Sequence, residues 1–321
     1  MVWGIFIAVI IILLALDLGV FHKTAHVISQ KEAAKWTTFW VTLALSFGGI
    51  LYWLFLHEHI ENPLGYTPET AFYKYIQGYL LELSLSVDNI FVIAVIFKTF
   101  RIPQKYQHEV LFWGIVGAVV FRAIMIFFGI WLINKIDWIT YVFGAFLIYT
   151  AYSMVKPGHE EVDPRNSIIL KWTRKILPVT KDIHGQKLFV KRMGIWAATP
   201  LFLALVVIEF TDVLFALDSI PAILAITEDP FIVFSSNIMA ILGLRSMYFF
   251  LANIIDKFSY LKYSLSVILI FVGLKMVFHH YLKNNAIELP EWLSLGIIVL
   301  SLAGGILYSL YKNKQAEIVK K

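Results

Sequence analysis

The chain has 321 residues, 59% of them apolar and 16% aromatic, with only 15% charged and a mean hydropathy of +0.75. Soluble domains run nearer half apolar and a quarter charged, so this composition excludes an ordinary water-soluble fold and points to an integral membrane protein. The formal net charge of +5 matters less than where the charge lies, and the absence of cysteine excludes disulfides, thiolate metal sites and thiol chemistry.

A helix needs about 20 mostly apolar residues to cross the hydrocarbon core. In chain order the segments that qualify are 2–20, 36–56, 75–97, 110–133, 139–155, 195–226, 231–254, 263–278 and 292–311. The expectation is an all-α polytopic membrane protein of nine transmembrane helices, one transporter domain over residues 1–321. The first segment, "MVWGIFIAVIIILLALDLGV", lacks a basic leader and a small-residue cleavage site, and so reads as a retained span rather than a signal peptide.

Nine is odd, so the termini are expected on opposite sides. One set of connections comprises residues 21–35, 98–109, 156–194, 255–262 and the tail, and holds 21 of the 27 lysines and arginines. The alternate set reads "HEHIENPLGYTPET", "NKID", "TEDP" and "HHYLKNNAIELPE", neutral or acidic. The positive-inside rule then places the amino terminus outside and the tail in the cytoplasm. Within the long loop 156–194, "SIILKWTRKILPV" is apolar on one helical face and basic on the other. That pattern suits a helix on an anionic leaflet, with a solvated linker equally open. Nothing beyond this ordinary basic bias suggests nucleic-acid binding.

Self-comparison gives three matches in the same order. "LELSLSVDNIFVI" aligns with "FTDVLFALDSIPAIL", pairing Glu82 with Asp212, Asp88 with Asp218 and Asn89 with Ser219. "VGAVVFRAIMIFFG" aligns with "AILGLRSMYFFLA", pairing Arg122 with Arg245, and "AFLIYTAYSMV" with "VILIFVGLKMV". The units, about 75–155 and 195–280, have three spans each, so the second enters the membrane from the opposite face. Inverted repeats of this kind mark secondary transporters with a substrate site near the midplane.

A carboxylate at the bilayer centre costs about 2.5–3.5 kcal/mol on insertion scales. Five acids fall within the repeat spans: Glu82, Asp88, Glu209, Asp212 and Asp218. Ion pairing with Arg122 and Arg245 neutralises at most two of them, and a bound divalent cation, with or without protons on the remaining acids, closes the gap. Glu209 and Asp212, three apart, share a helix face. Glu82 and Asp88, like Asp212 and Asp218, are about 9 Å apart along a regular helix and on different faces. They converge on one ion only if the helix unwinds between them, or else they mark successive stations. Pro221 favours unwinding, because it frees the carbonyl of Leu217. Ser84, Ser86, Asn89 and Ser219 add neutral oxygens. Such a donor set suits a hard ion such as Mn²⁺, Mg²⁺ or Ca²⁺ over Cu⁺ or Zn²⁺. Competition between protons and metal for these acids would make an antiporter.

Asp17 is a candidate entry ligand or a group that reaches headgroup water, Lys275 is expected to snorkel, and His57, His59, His279 and His280 could collect metal at the outer face. An intramembrane protease is disfavoured, since the chain has no Gly-Asp pair and "HEHIE" does not have the HExxH spacing. The rival to a carrier is a scaffold that binds metal without moving it.

"ELSLSVDNIFV", "EFTDVLFALDSIPAI" and the opening "ALDLGVFHKTAH" closely resemble the TerC family of bacterial membrane proteins, in particular its Alx-type members. The resemblance implies a LysE-like transporter fold in the bacterial inner membrane, export of manganese, and a tellurium-resistance association. It carries the family's intramembrane acids onto Glu82, Asp88, Glu209, Asp212 and Asp218, with Mn²⁺ as transported ion and no prosthetic group.

Overall fold

The computed structural model describes residues 1–19, 28–136, 138–156, 168–192, 194–252, 260–278 and 290–319; the side chains of 17–19, 168, 192 and 314–319 are outside that description. The described chain is helical except for one hairpin. Its elements are α1 (Val2–Gly19), α2 (Gln30–Leu56), α3 (Pro68–Thr99), α4 (Gln104–Lys135), α5 (Ile139–Val155), α6 (Ile168–Ile176), β1 (Phe189–Arg192), β2 (Ile195–Ala198), α7 (Pro200–Leu224), α8 (Pro230–Leu242), α9 (Leu244–Leu251), α10 (Leu261–Val277) and α11 (Glu291–Val319).

Helix starts follow cap chemistry. Ser29 accepts from the Glu32 N–H at 3.3 Å to open α2, the first half of a Ser-x-x-Glu box. Thr67-Pro68, Thr199-Pro200 and Asp229-Pro230 open α3, α7 and α8, each with proline at the first helical position, where its missing N–H costs nothing. Asp229 accepts from the N–H groups of Phe231 and Ile232 at 3.0 and 2.9 Å, while its burial pushes the carboxyl above the usual range.

Among the described residues five helices are long and apolar enough to cross a membrane: α2, α3, α4, α7 and residues 291–313 of α11; α8 and α9 make a sixth if the bent pair is one span. α1 over Val2–Leu16 and α5 are apolar but shorter. Three sequence expectations change. The segment expected as helix from Ile195 begins as a strand: Ile195–Ala198 pairs antiparallel with Phe189–Arg192 around Gly194, whose φ is +85°. The residue before a proline is pushed to extended backbone, so the helix waits for Pro200. The segment 231–254 is not one straight helix but bends by 42° at Gly243, where a Cβ would lie 3.3 Å from that of Trp40. Glycine there lets α2 approach and gives the kink its cause. The third change is in α7, which runs unbroken through Pro221, as α3 does through Glu82 and Asp88; the expected unwinding is absent.

Small residues bring the helices close, as packing in lipid requires. α5 lies along α10, where a Cβ on Gly144 would sit 2.8 Å from the Gly273 carbonyl and one on Gly273 2.9 Å from the Gly144 carbonyl. α3 packs on α7 and α8, and α4 packs on α7 and α8. Gly78 of α3 admits Ile223 and Ser236, and Gly129 of α4 admits Leu224. The outward stripe of α4 is apolar throughout: Val120, Phe121, Ile124, Phe127, Phe128 and Trp131.

Candidate functional site

A cavity of about 530 Å³ lies between α3, α4 and α7 on one side and α5 and α10 on the other. It begins at Glu82, Arg122 and Ser219 in mid-bundle. From there it runs toward Val95 on α3, Met154 on α5 and Lys262 on α10. That is the end at which Lys98 closes α3 and Arg101 follows it, the basic end of the bundle.

At its inner limit Arg122 is fully enclosed, 1% exposed, and its guanidinium holds two acids. Nη1 donates to Glu82 Oε1; Nη2 donates to Asp212 Oδ1 at 2.9 Å and Nε to Asp212 Oδ2 at 3.3 Å. The second of these is the planar two-pronged fit that suits arginine to a carboxylate. Nη1 also reaches Ser219 Oγ at 3.3 Å and Asn237 Oδ1 at 3.4 Å, and Asn89 Nδ2 donates to Asp212 Oδ1 at 3.4 Å. Glu82 Oε2 is buried and accepts no hydrogen bond among the described residues.

Further along the cavity are two more acids. Asp218 accepts from the Thr150 hydroxyl at 2.9 Å. Asp88 lines the same wall as Glu82 and Asn89, and Lys262 lines the cavity from α10. No carboxylate is paired with Lys262 within 4 Å among the described residues. Fixed cations lining the cavity are thus Arg122 and Lys262 against Glu82, Asp88 and Asp218, with Asp212 behind Arg122.

The sequence-chosen residues divide accordingly. Glu82, Asp88, Asn89, Asp218 and Ser219 line the cavity together. Asp212 belongs to the Arg122 cluster. Glu209 lies apart, one turn away on α7, its carboxylate filling the space over Gly117 where any Cβ would collide with it. Ser84 bonds back to the Leu81 carbonyl at 2.7 Å, and Ser86 is buried off the cavity wall. The Leu217 carbonyl lacks its helical donor because residue 221 is proline, yet Leu217 itself is exposed on the bundle surface. Arg245, expected as the twin of Arg122, is buried in the first turn of α9 and is not part of the cavity lining. The side chain of Asp17, and His279 and His280 entirely, lie outside the described residues. His57 and His59 stack at 6.1 Å beside Trp53. Among the described residues no three His, Asp or Glu side chains converge closely enough to hold a metal ion between them. Without unwinding, the acids stand at successive heights.

Several cavity residues were not singled out from the sequence. Thr150 and Ser153 are neutral hydroxyls three apart in the short α5; Asn237, which meets Arg122 from behind the cavity wall, lies in the apolar run "FIVFSSNIMAIL". A polar residue inside an apolar helix was the available signal. At the opposite end of the bundle a second network was also unforeseen. Lys74 pairs with Glu291 at 2.8 Å and donates to the Ile226 carbonyl at 2.8 Å, and Gln77 donates to Glu291 at 3.0 Å. It ties α3, α11 and the turn after α7 together at the end away from Lys262.

Comparison with known proteins decides the family. The profile described as "Integral membrane protein TerC family" matches residues 67–317. The chain belongs to the TerC family. A Myxococcus xanthus protein, "Uncharacterized membrane protein STKORF319", is 48% identical over 98% of this chain and 93% of its own length. One from Rickettsia bellii, "Uncharacterized membrane protein", is 44% identical over 98% of each. A Salmonella typhi protein named as a candidate membrane-bound redox modulator, Alx, is 42% identical over 99% of this chain and 96% of its own length. No solved structure matches the chain. Membership makes this TerC protein a multi-pass integral membrane protein.

Proposed function

We propose that this TerC protein exports divalent metal cations, most readily Mn²⁺, across the bacterial inner membrane through the acid-lined cavity. The observation that carries the reading is the charge imbalance around Arg122. One guanidinium serves both Glu82 and Asp212, and Asp88 and Asp218 are left with Lys262 at the mouth and the Thr150 hydroxyl. A mobile cation supplies the missing charge. The oxygens on offer are carboxylate, amide and hydroxyl, with Met154 the single sulfur in the lining. That set favours a hard ion, and its spread along the cavity suits a cargo passing through rather than a metal held in place. Protons competing for the same acids are the coupling ion in this reading, which is that of a carrier and not an enzyme.

In the proposed topology α1, α5 and α10 cross along with the six longer spans, giving nine. The amino terminus is outside and the tail cytoplasmic, as the positive-inside rule asks. Two inverted repeats, α3–α5 and α7–α10, fit the exchange of partners in the packing, where α3 lies on α8 and α4 on α7. The reciprocal Gly144–Gly273 contact between their last helices fits them too. In that orientation the cavity is reached from the cytoplasm and the Lys74–Glu291 network closes the outer end. The relatives' redox name gives a second reading, but thiol exchange is not open to a chain without cysteine. The remaining rival is a scaffold that binds metal at the outer face.

Inverted membrane vesicles test the proposal. They should accumulate radioactive Mn²⁺ when they contain the protein, and faster with a proton gradient, acid inside. Accumulation no greater than in vesicles lacking the protein contradicts export; uptake that ignores the gradient removes the proton coupling alone.

A further inference from the structure

The segment between α5 and α7 takes no part in the cavity. Its described part nevertheless holds four large apolar side chains more than half exposed: Trp172 and Ile176 of α6, 63% and 70%, and Ile195 and Trp196 of β2, 64% and 63%. Apolar side chains gathered in this way mark a surface that meets something. Trp172 and Ile176 are one turn apart on α6 and share a face, while Leu170, on another face, is buried in the core.

These side chains are held out by an anchored element. The Ala198 N–H donates to the Pro178 carbonyl and the Thr180 N–H to the Ala198 carbonyl, both at 2.9 Å, which joins β2 to the chain leaving α6. The Thr199 hydroxyl donates to the Lys187 carbonyl at 2.8 Å. Phe189 of β1 packs on Phe202 in the first turn of α7, ring centroids 4.4 Å apart. Gln186 meets the buried His108 of α4 at 3.0 Å. The hairpin is thereby fixed to the feet of α4 and α7, and Trp196 lies four residues before α7 begins.

The charge around the patch has one sign. Lys171, Arg174 and Lys175 are exposed on α6, Lys187 just before the hairpin and Lys191 on it; the described acid in this stretch is Asp182. We propose that α6 and the β1–β2 hairpin form a platform seated on the anionic lipid surface at the basic end of the bundle. Trp172, Ile176, Ile195 and Trp196 enter the boundary between headgroups and acyl chains, and the lysines meet lipid phosphates. Basic residues beside an apolar face on an interfacial helix bind such a surface, and tryptophan favours the same depth. Charge complementarity selects lipid over a second copy of the chain, whose like-charged patch would repel this one. The inference stands independently of the cation reading.

The absence of cysteine makes the test direct. Full-length protein carrying Ile176→Cys or Trp196→Cys takes one nitroxide label, and its collisions with oxygen and with a water-soluble nickel chelate report its depth. In nanodiscs containing phosphatidylglycerol both labels should lose access to the chelate several-fold while keeping access to oxygen, relative to nanodiscs of phosphatidylcholine alone. A label at Glu61→Cys should stay aqueous in both, and adding Lys171→Gln with Lys175→Gln should abolish the lipid dependence. The proposal is overturned if the labels at 176 and 196 stay open to the chelate in anionic nanodiscs. Equal burial in both lipids overturns it, as does shielding from oxygen too, the sign of a protein partner.

Discussion

Arg122 shows at single-residue scale why the acids could be found and their partners could not. A buried carboxylate is costly enough that its presence in an apolar run demands an explanation, so Glu82, Asp88, Asp212 and Asp218 stood out. Thr150, Ser153 and Asn237 did not, because hydroxyl and amide groups are cheap in helices, where they can bond to their own backbone. Lys262 was read as one more loop charge, since nothing in the sequence shows that α10 turns it toward the cavity. The sharing of one guanidinium by Glu82 and Asp212 is also a matter of geometry alone. Removing it strands Glu82 away from water. Arg122→Gln should therefore cost about 3–5 kcal/mol, read as a fall in the thermal unfolding midpoint in detergent. Arg122→Lys should recover only part of it, because an ammonium lacks the two-pronged fork. An Arg122→Gln protein that melts with the wild type would show that the cluster is not what holds α3, α4 and α7 together.

At the scale of elements, hydrophobic runs located the helices well and their interruptions poorly. Apolar length marks 231–254 as a span, but not that Pro230–Leu251 bends by 42° at Gly243, against Trp40. Pro221 misled in the other direction: α7 stays helical through it, packed against α3 and α4, and the freed carbonyl of Leu217 brings no unwinding. The strand at 195–198 was hidden because Ile-Trp-Ala-Ala reads as easily as the start of a span. Glycines split into two kinds that sequence does not separate. A Cβ added to Gly273 would lie 2.9 Å from the Gly144 carbonyl, whereas one added to Gly49 of α2 has nothing within 4 Å. Gly273→Ala should lower the unfolding midpoint by a cost of about 1–3 kcal/mol, as overpacking does. Gly49→Ala should leave it unchanged or raise it, since alanine is better than glycine in a helix by about 1 kcal/mol. Equal shifts in the two variants would mean that α5 and α10 do not depend on that close approach.

For the molecule as a whole, the membrane class and the family were plain in composition and in the two acidic motifs. The division of labour among the acids was not, because it depends on which helix faces which. Three of the five border the cavity, Asp212 is held behind it by Arg122, and Glu209 sits apart over Gly117. The cavity is bounded by Arg122 in mid-bundle and Lys262 at the basic end, with the Lys74–Glu291 pair at the other end of the molecule. In the proposed cycle these are the limits between which a cation is taken up and released. Export by this route requires Asp88 and Asp218 to carry the cation, and flux into inverted vesicles at matched protein levels reads that step. Asp88→Asn and Asp218→Asn should each abolish Mn²⁺ accumulation, while His57→Ala with His59→Ala at the outer face leaves it intact. Accumulation that survives both aspartate substitutions, or fails with the histidine pair instead, contradicts a cation path through Asp88 and Asp218.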